Sequence, residues 1–203
     1  RDAASAPAFG QAARSRNVWL IALATGLALA ATTGYAGILP QALEFDRGLS
    51  TAAAGQMASL LTLASMVGCV VAPVICARFR STRAYLLAMA VVGAVVMAAT
   101  WLLPSTGLLP LLLLNGFATS LLGPVLHALP ITLPGVGPRY AGSAGGIIAE
   151  VSLLLSFALP IAASLMAGFD YALNLTLLSG IYALALVPLA MLPRLSRPLG
   201  GVG

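Results

Sequence analysis

Six long apolar runs, separated by short polar gaps, dominate the chain. A helix that crosses a bilayer needs roughly 20 predominantly apolar residues, and it must satisfy its own backbone because lipid offers no hydrogen-bond partners. All six runs meet that requirement, so the pattern predicts an all-α membrane protein of six transmembrane helices. The predicted spans are about Val18 to Leu39, Thr51 to Cys76, Ala84 to Leu103, Leu108 to Leu133, Tyr140 to Ala167 and Tyr171 to Leu192.

Prolines lie at three of the predicted span ends. Pro40, Pro104 and Pro193 follow the first, third and sixth runs, and a proline interrupts a helix because it has no N–H to donate. We therefore expect each of them to end its helix. The predicted plan is a cytoplasmic linker over residues 1–16, a six-helix bundle over residues 17–193 and a cytoplasmic tail over residues 194–203. The linker lacks the apolar core of a signal peptide, and its opening on Arg1 leads us to expect a longer protein.

Composition supports a membrane protein and excludes nucleic-acid binding. The chain is 60% hydrophobic and only 7% charged, whereas a soluble domain carries roughly 25% charged residues. So little charge cannot cover a water-facing surface, which makes the lipid bilayer the natural solvent. The net charge is +5 and every basic residue is Arg, but a nucleic-acid site needs basic residues clustered on an exposed face. We interpret Cys69 and Cys76 as small apolar packing residues.

The arginines alternate between the two sides of the predicted spans. The positive-inside rule assigns the Arg-rich side, and with it both chain ends, to the cytoplasm. Tyr35, Trp101 and Tyr171 then fall near the outer interface. Exclusive use of Arg, with abundant Ala and Leu, is typical of a GC-rich bacterial gene, so we predict the bacterial inner membrane. Arg47 is alone on the outer side, and the cytoplasmic arginines are Arg1, Arg14, Arg16, Arg78, Arg80, Arg83, Arg139, Arg194 and Arg197.

The fourth predicted span carries a stripe of polar and small residues. Asn115, Thr119, Gly123 and His127 recur at every fourth position, which places them on one side of a helix over about 18 Å. Such a stripe is costly against lipid, so it faces protein or water. Two interpretations stay open: the stripe lines a cavity, or it is a close-packing seam of small residues. For His127, contact with an anionic substrate, pairing with Glu150 and a purely structural role all stay open.

The other spans differ in how polar they are. The first has a weaker polar face of Thr25, Thr32 and Thr33, whereas the polar residues of the second wind around the helix. The third is apolar all round and is expected to face lipid. In the fifth, Gly142 and Gly146 form a G-xxx-G pair, a spacing that allows a neighbouring backbone to approach closely.

Glu150 is the most informative single residue. It lies about nine residues inside the fifth predicted span, roughly 14 Å deep and near the bilayer midplane. A carboxyl group at that depth is expensive and faces a cavity or a partner. Because desolvation favours its uncharged form, Glu150 is the candidate for proton coupling. The alternative is a structural carboxylic acid that donates a hydrogen bond to a neighbouring carbonyl.

The layout resembles the C-terminal half of a major facilitator superfamily transporter. The resemblance lies in the six spans, the Arg-rich gap after the second span and the outer-side GLSTAAAG that leads into it. The stretch ARFRSTR (Ala77 to Arg83) is similar to that family's cytoplasmic loop motif, G-x-x-x-D-R-x-G-R-R. Arg78 matches its first Arg, Arg80 stands in place of its second Gly, and Ala77 in place of its Asp. The acid of a conformation-dependent salt bridge is therefore absent from this loop.

The resemblance implies that the chain supplies helices seven to twelve of a twelve-helix major facilitator fold. The partner would be an N-terminal half of six further helices. The start of the fifth span, RYAGSAGGI (Arg139 to Ile147), is similar to the start of the eleventh helix in such transporters. They move small solutes by alternating access, with the first and fourth helices of this half lining the cavity, the second and fifth facing the other half, and the third and sixth facing lipid.

The resemblance and the polar faces together indicate which residues are candidates for the substrate cavity and for the loop motif. The substrate-cavity candidates are Thr25, Thr32, Thr33, Asn115, Thr119 and His127, and the loop-motif residues are Arg78, Arg80 and Arg83. LPQALEFDRGLS and Pro73 resemble the cyanate and nitroimidazole transporter branch, which implies a small anion as substrate. The cavity arginine that an anion favours is not visible in this half.

Two other functions compete with this prediction. A self-standing six-helix channel or transporter would act as a homodimer through its second and fifth helices. An intramembrane serine hydrolase would use Ser143 with His127, but a six-helix rhomboid-type protease places its His after its Ser. The sequence contains no phosphate loop, paired carboxylates or metal-ligand cluster. We therefore expect no enzyme, no catalytic residues, no cofactor and no metal.

Overall fold

The computed structural model describes residues 10, 12–102, 107–133 and 136–193, and the side chain of Pro138 is not described. The first three spans are helices α1 (Arg16–Phe45), α2 (Thr51–Ala77) and α3 (Thr82–Leu102). The fourth combines α4 (Leu108–Ser120), α5 (Gly123–Ala128) and a 3-10 turn (Leu129–Thr132). The fifth span is α6 (Gly137–Ala167), and the sixth combines α7 (Tyr171–Leu184) and α8 (Leu186–Met191).

Six helical segments in the described parts of the chain are long and apolar enough to cross a membrane, as predicted. The prediction that Pro40 ends the first helix is wrong. The helix continues to Phe45 because the next turn is held by packing: Ala42 and Leu43 are completely buried. Pro104, Arg1, Arg194 and Arg197 lie outside the described residues, as do ten of the sixteen residues of the predicted linker and the whole predicted tail.

The fourth span is broken in the middle. Helix α4 ends at Ser120 and α5 begins at Gly123, because Pro124 has no N–H to donate to the carbonyl of Ser120. Three side chains from other spans donate to carbonyls at the break. Tyr182 Oη lies 3.1 Å from the carbonyl oxygen of Thr119, Tyr85 Oη 2.8 Å from that of Leu121, and Cys69 Sγ 3.8 Å from that of Ser120.

The first span forms the centre of the bundle, and glycines bring its neighbours close. A Cβ atom at Gly26 would lie 2.5 Å from the Leu155 side chain of the fifth span. A Cβ at Gly68 would lie 2.5 Å from the carbonyl oxygen of Phe117, and one at Gly116 would lie 2.2 Å from that of Leu61. The first span therefore packs tightly on the fifth, and the second on the fourth.

The expectation that lipid surrounds the third span is wrong, because Tyr85, Leu86 and Ala90 of one face are completely buried in the bundle. Among the described residues, nothing lies within 4 Å of a Cβ built at Gly142 or Gly146, so close packing at the G-xxx-G pair of the fifth span stays a prediction. The second and fifth spans are the least buried of the six.

Contacts between turns show which span ends meet. At one end, Arg47 donates to the carbonyl of Trp101 at 2.9 Å, and the rings of Phe45 and Tyr171 stack with centroids 5.8 Å apart. At the other end, Arg83 donates to the carbonyl of Ala190. The turns after the first and fifth spans thus lie beside the described end of the third span, opposite the turn after the second.

Candidate functional site

A cavity of about 310 Å³ opens between the first, second and fourth spans, and hydroxyl, amide, thiol and imidazole groups interrupt its mostly apolar wall. One face of the first span and one face of the fourth span line it, together with part of the second and a single methionine of the third. The lining residues are Thr25, Ala28, Leu29, Thr32, Thr33, Tyr35, Ala36, Leu61, Thr62, Ser65, Cys69, Met97, Asn115, Thr119, Ser120, Gly123, Leu126 and His127.

All six substrate-cavity candidates of the sequence lie on this one cavity. Thr25, Thr32 and Thr33 share a face of the first span, and Asn115, Thr119 and His127 share a face of the fourth. Gly116, one position along, packs against the second span instead. The fourth span therefore uses adjacent faces for the two roles that the sequence left open: one lines the cavity and the other packs closely.

Several cavity hydroxyls already have hydrogen-bond partners in their own helix. Thr32 Oγ1 donates to the carbonyl of Ala28 at 3.0 Å, Thr33 Oγ1 to that of Leu29 at 2.7 Å, and Thr119 Oγ1 to that of Asn115 at 2.7 Å. Such bonds satisfy the hydroxyl proton of a threonine in an apolar bundle. These three side chains therefore present acceptor lone pairs, and no spare donor, to the cavity.

Three other cavity residues have buried polar atoms without a partner among the described residues: Thr25 Oγ1, Tyr35 Oη and Asn115 Nδ2. Each of the three side chains is at most 3% exposed. The Tyr35 hydroxyl lies beside the side chains of Thr100 and Asn115 and interacts with both. A buried polar atom without a partner is costly, so these atoms mark places where a bound molecule or water would be stabilised.

His127 presents one ring nitrogen to the cavity side. Its Nδ1 lies 2.8 Å from the carbonyl oxygen of Gly123, and because a carbonyl only accepts, Nδ1 carries the proton. The Nε2 atom is then available to accept a hydrogen bond in the neutral ring, or to donate one in the charged ring. The pairing with Glu150 that the sequence left open is not formed.

Sequence reasoning missed two notable cavity residues. Tyr35 had been placed at the outer interface, yet it follows Thr32 by three positions and so continues the same helix face. Cys69 had been interpreted as a packing residue, but it is exposed in the cavity, whereas Cys76 is buried as expected. Thr62, Ser65 and Cys69 follow each other at intervals of three and four, the spacing of one helix face, which was the available signal.

Glu150 and the loop arginines lie away from the cavity. Glu150 is exposed on the outer face of the fifth span, and Arg78 and Arg80 are exposed beyond the end of the second. Arg83 is half-buried against the end of the sixth span. Among the described residues that line the cavity, none is Arg, Asp or Glu. The cavity thus offers hydrogen bonds and one imidazole, but no permanent charge of its own.

The described parts of the chain bring together no three His, Cys, Asp or Glu side chains that could hold a metal ion. A scan against models of known protein families finds no match, and a search of curated proteins finds no match either. Function is therefore inferred from the residues and their geometry.

Proposed function

We propose that this chain is one half of a secondary active transporter of the major facilitator type, which moves a small solute across the membrane by alternating access. The observation that carries the proposal is a cavity inside the bundle on which polar side chains of the first and fourth spans converge. Polar side chains inside a membrane are costly and mark substrate or ion pathways. Polar side chains of the first and fourth spans meet at this one cavity, as expected for a solute pathway.

The exposed faces of the second and fifth spans support a second half. The fifth span exposes Leu153, Leu154 and Phe157 on the same side as Glu150. A carboxylate near the bilayer midplane is unstable against lipid, so this face requires protein or water. The proposed occupant is an N-terminal half of six helices, with both chain ends of this half in the cytoplasm of a bacterium and with Glu150 as the residue that couples transport to protons.

A homodimer of six-helix chains is the second candidate, because the same exposed faces would allow two copies to pair. A second copy would bring no arginine to the depth of Glu150, since the described arginines lie at the ends of the spans. The intact mass of the native gene product separates the two, because a homodimer of complete chains requires a mass near 20.5 kDa.

Cys69 gives a direct test of alternating access. We expect membrane-impermeant thiol reagents to modify it in the native-length protein from either side of the membrane, because a cavity that opens alternately exposes the same thiol in turn. The measurement is the mass increase of the protein in right-side-out and inside-out vesicles, with any cysteine outside residues 1–203 replaced.

Cys76 and a serine variant provide the controls. Cys76 is 1% exposed and should stay unmodified, and Cys69→Ser should abolish the mass increase. Modification from one side only would indicate a fixed pocket or a receptor, and no modification from either side would exclude a water-filled pathway through this cavity.

A further inference from the structure

The hydroxyl groups on the cavity wall share one orientation. Six of the seven serine and threonine hydroxyls that line the cavity donate to a carbonyl of their own helix. Such a bond uses the single proton of the hydroxyl and leaves its oxygen with a free lone pair. The six, which we call the acceptor hydroxyls, are those of Thr32, Thr33, Thr62, Ser65, Thr119 and Ser120.

The acceptor hydroxyls are more accessible than the donors on the same wall. Five of the six belong to exposed or half-buried side chains, the exception being Thr119 at 8% exposed. Tyr35 and Asn115, which could donate, are each 2% exposed and interact with each other. A solute that enters the cavity therefore meets mainly acceptor oxygens.

The break in the fourth span adds the negative end of a helix to the cavity. Helix α4 ends at Ser120, which lines the cavity, and the C-terminal end of a helix carries a partial negative charge. The carbonyl of Ser120 receives the thiol of Cys69 at 3.8 Å, and a thiol is a weak donor. A positively charged group is therefore stabilised at this end of α4, as lysine and arginine are at other helix C-termini.

The permanent charges of the described wall do not oppose this preference. None of the described lining residues is Arg, Asp or Glu, and in the neutral ring the Nε2 atom of His127 is a further acceptor. Arg47 lies outside the lining, where its guanidinium donates to the carbonyl of Trp101 and lies 4.8 Å from the centroid of that ring. An anion would meet neither a lining arginine nor a row of accessible donors here.

We propose that the transported solute presents a protonated nitrogen group with N–H donors, such as an ammonium or an amidinium, to the acceptor hydroxyls. This assignment rests on the transport function proposed above and specifies its substrate class. It departs from the small anion that the resemblance to the cyanate and nitroimidazole branch implies. The N–H groups donate to the oxygen lone pairs, and the C-terminal end of α4 stabilises the positive charge.

The test uses three thiol reagents that carry different head groups to Cys69. Aminoethyl methanethiosulfonate brings an ammonium with N–H donors, trimethylammonioethyl methanethiosulfonate brings the same charge without a donor, and sulfonatoethyl methanethiosulfonate brings a negative charge. In each reaction the Cys69 thiolate forms a mixed disulfide, while the S–S bond of the reagent breaks and methanesulfinate leaves. Rates are measured on the native-length protein in detergent micelles, because the aminoethyl reagent crosses membranes in its uncharged form. Any cysteine outside residues 1–203 is replaced.

The quantity measured is the reaction rate at Cys69 divided by the rate of the same reagent with free mercaptoethanol. This normalisation removes the intrinsic reactivity of each reagent, and the ionisation of Cys69 cancels between reagents because all of them meet the same thiol. We expect the ammonium rate to exceed the trimethylammonium rate about tenfold, the size expected from hydrogen bonds to a charged group. It should exceed the sulfonate rate by more.

Three variants locate the origin of that preference. Ser65→Ala and Thr119→Val remove acceptor hydroxyls close to Cys69 and the end of α4, and each should lower the ratio of ammonium to trimethylammonium rates about threefold or more. Thr176→Val is the matched control. Its hydroxyl also donates to its own helix, at 2.7 Å from the carbonyl oxygen of Ala172, but Thr176 does not line the cavity, so the ratio should stay unchanged. Because the bulk of each reagent is the same in every variant, a change in the ratio reports hydrogen bonds.

The outcomes separate the solute class from the transport function. A sulfonate rate equal to or above the ammonium rate would overturn the proposal and leave the transport function standing. Equal ammonium and trimethylammonium rates, or a ratio that neither Ser65→Ala nor Thr119→Val lowers, would overturn it as well. Ser65→Ala removes a single oxygen atom, so it keeps the test decisive even if Thr119→Val does not fold. If no reagent reaches Cys69, the transport function fails first.

Discussion

Gly68 and Gly116 set the distance between the second and fourth spans. Both glycines face backbone carbonyls of the opposite helix at separations that leave no room for a methyl group. Close approach of this kind is how membrane helices gain packing energy when lipid is as apolar as their side chains. The side of the cavity formed by these two spans is therefore fixed by residues that do not line it.

A single methyl group at Gly68 should disturb this seam. Gly68→Ala places a Cβ 2.5 Å from the carbonyl oxygen of Phe117, and we expect a loss of about 1–3 kcal/mol in the free energy of unfolding. Gly55→Ala is the matched control in the same helix, since nothing lies within 4 Å of its Cβ, and it should be neutral or stabilising by up to about 1 kcal/mol. Unfolding in detergent micelles measures both, and equal stability of the two variants would contradict the tight seam.

The proposed role of Glu150 in proton coupling can be tested with a neutral isostere. Glu150→Gln should make solute accumulation in vesicles less dependent on an imposed pH gradient, because the side chain no longer exchanges a proton. Folding should be intact, since the Glu150 side chain is exposed. Glu44→Gln, which changes a half-buried carboxylate that accepts a hydrogen bond from Thr51, is the control, and an unchanged dependence in Glu150→Gln would remove Glu150 from the coupling mechanism.

Single-residue predictions from the sequence depended on spacing. Asn115, Thr119 and His127 were found because polar residues four apart share a helix face. Tyr35 was missed because an aromatic near a span end is more often an interface anchor. The exposed position of Glu150 was not predictable, because the face that a helix turns outward depends on its packing against the other spans.

At the scale of elements, Pro40 and Pro124 interrupt apolar runs with different outcomes. The first helix passes through Pro40, whereas the fourth breaks just before Pro124. The difference lies in what surrounds them. Around Pro40 the helix has buried apolar neighbours, whereas at the fourth span Tyr85, Cys69 and Tyr182 supply donors to the carbonyls that lack a backbone partner. The sequence predicted the span but not the break, because those donors are distant along the chain.

The hydroxyl of Tyr182 should contribute to the stability of that break. Tyr182→Phe removes the donor to the carbonyl of Thr119, and we expect a loss of about 0.5–2 kcal/mol in the free energy of unfolding. Tyr171→Phe is the matched control, since Tyr171 stacks on Phe45 and its ring remains. Equal stability of the two variants would show that the carbonyl of Thr119 finds another donor.

At the scale of the whole molecule, the spans fall into two groups by exposure. The first span is central, and the second and fifth are the least buried. The number of spans was predictable from the length of each apolar run, whereas the end of the first span was not. Which faces stay uncovered was expected only from the resemblance to major facilitator transporters, because hydropathy does not distinguish a lipid-facing leucine from one that faces another protein.

A spin label on each kind of face distinguishes these environments. Leu154 of the fifth span and Val95 of the third are both more than 60% exposed. In the native-length protein we expect a label at Leu154→Cys to collide with dissolved oxygen much less often than one at Val95→Cys, since oxygen concentrates in lipid and a protein partner excludes it. Electron paramagnetic resonance measures the collision rates, with Cys69 and Cys76 replaced. Equal rates would show that the fifth span faces lipid.

The break in the fourth span also bears on the order in which the protein is made. Cys69 and Tyr85 are synthesised before the fourth span. Two of the three side chains that donate hydrogen bonds to the carbonyls of the fourth span are therefore already in the membrane when that span inserts. Tyr182 emerges only with the sixth span. The polar backbone at the centre of the bundle is therefore fully sheltered only after the last helix has entered the membrane, and a chain interrupted earlier carries an exposed defect that quality-control proteases can recognise.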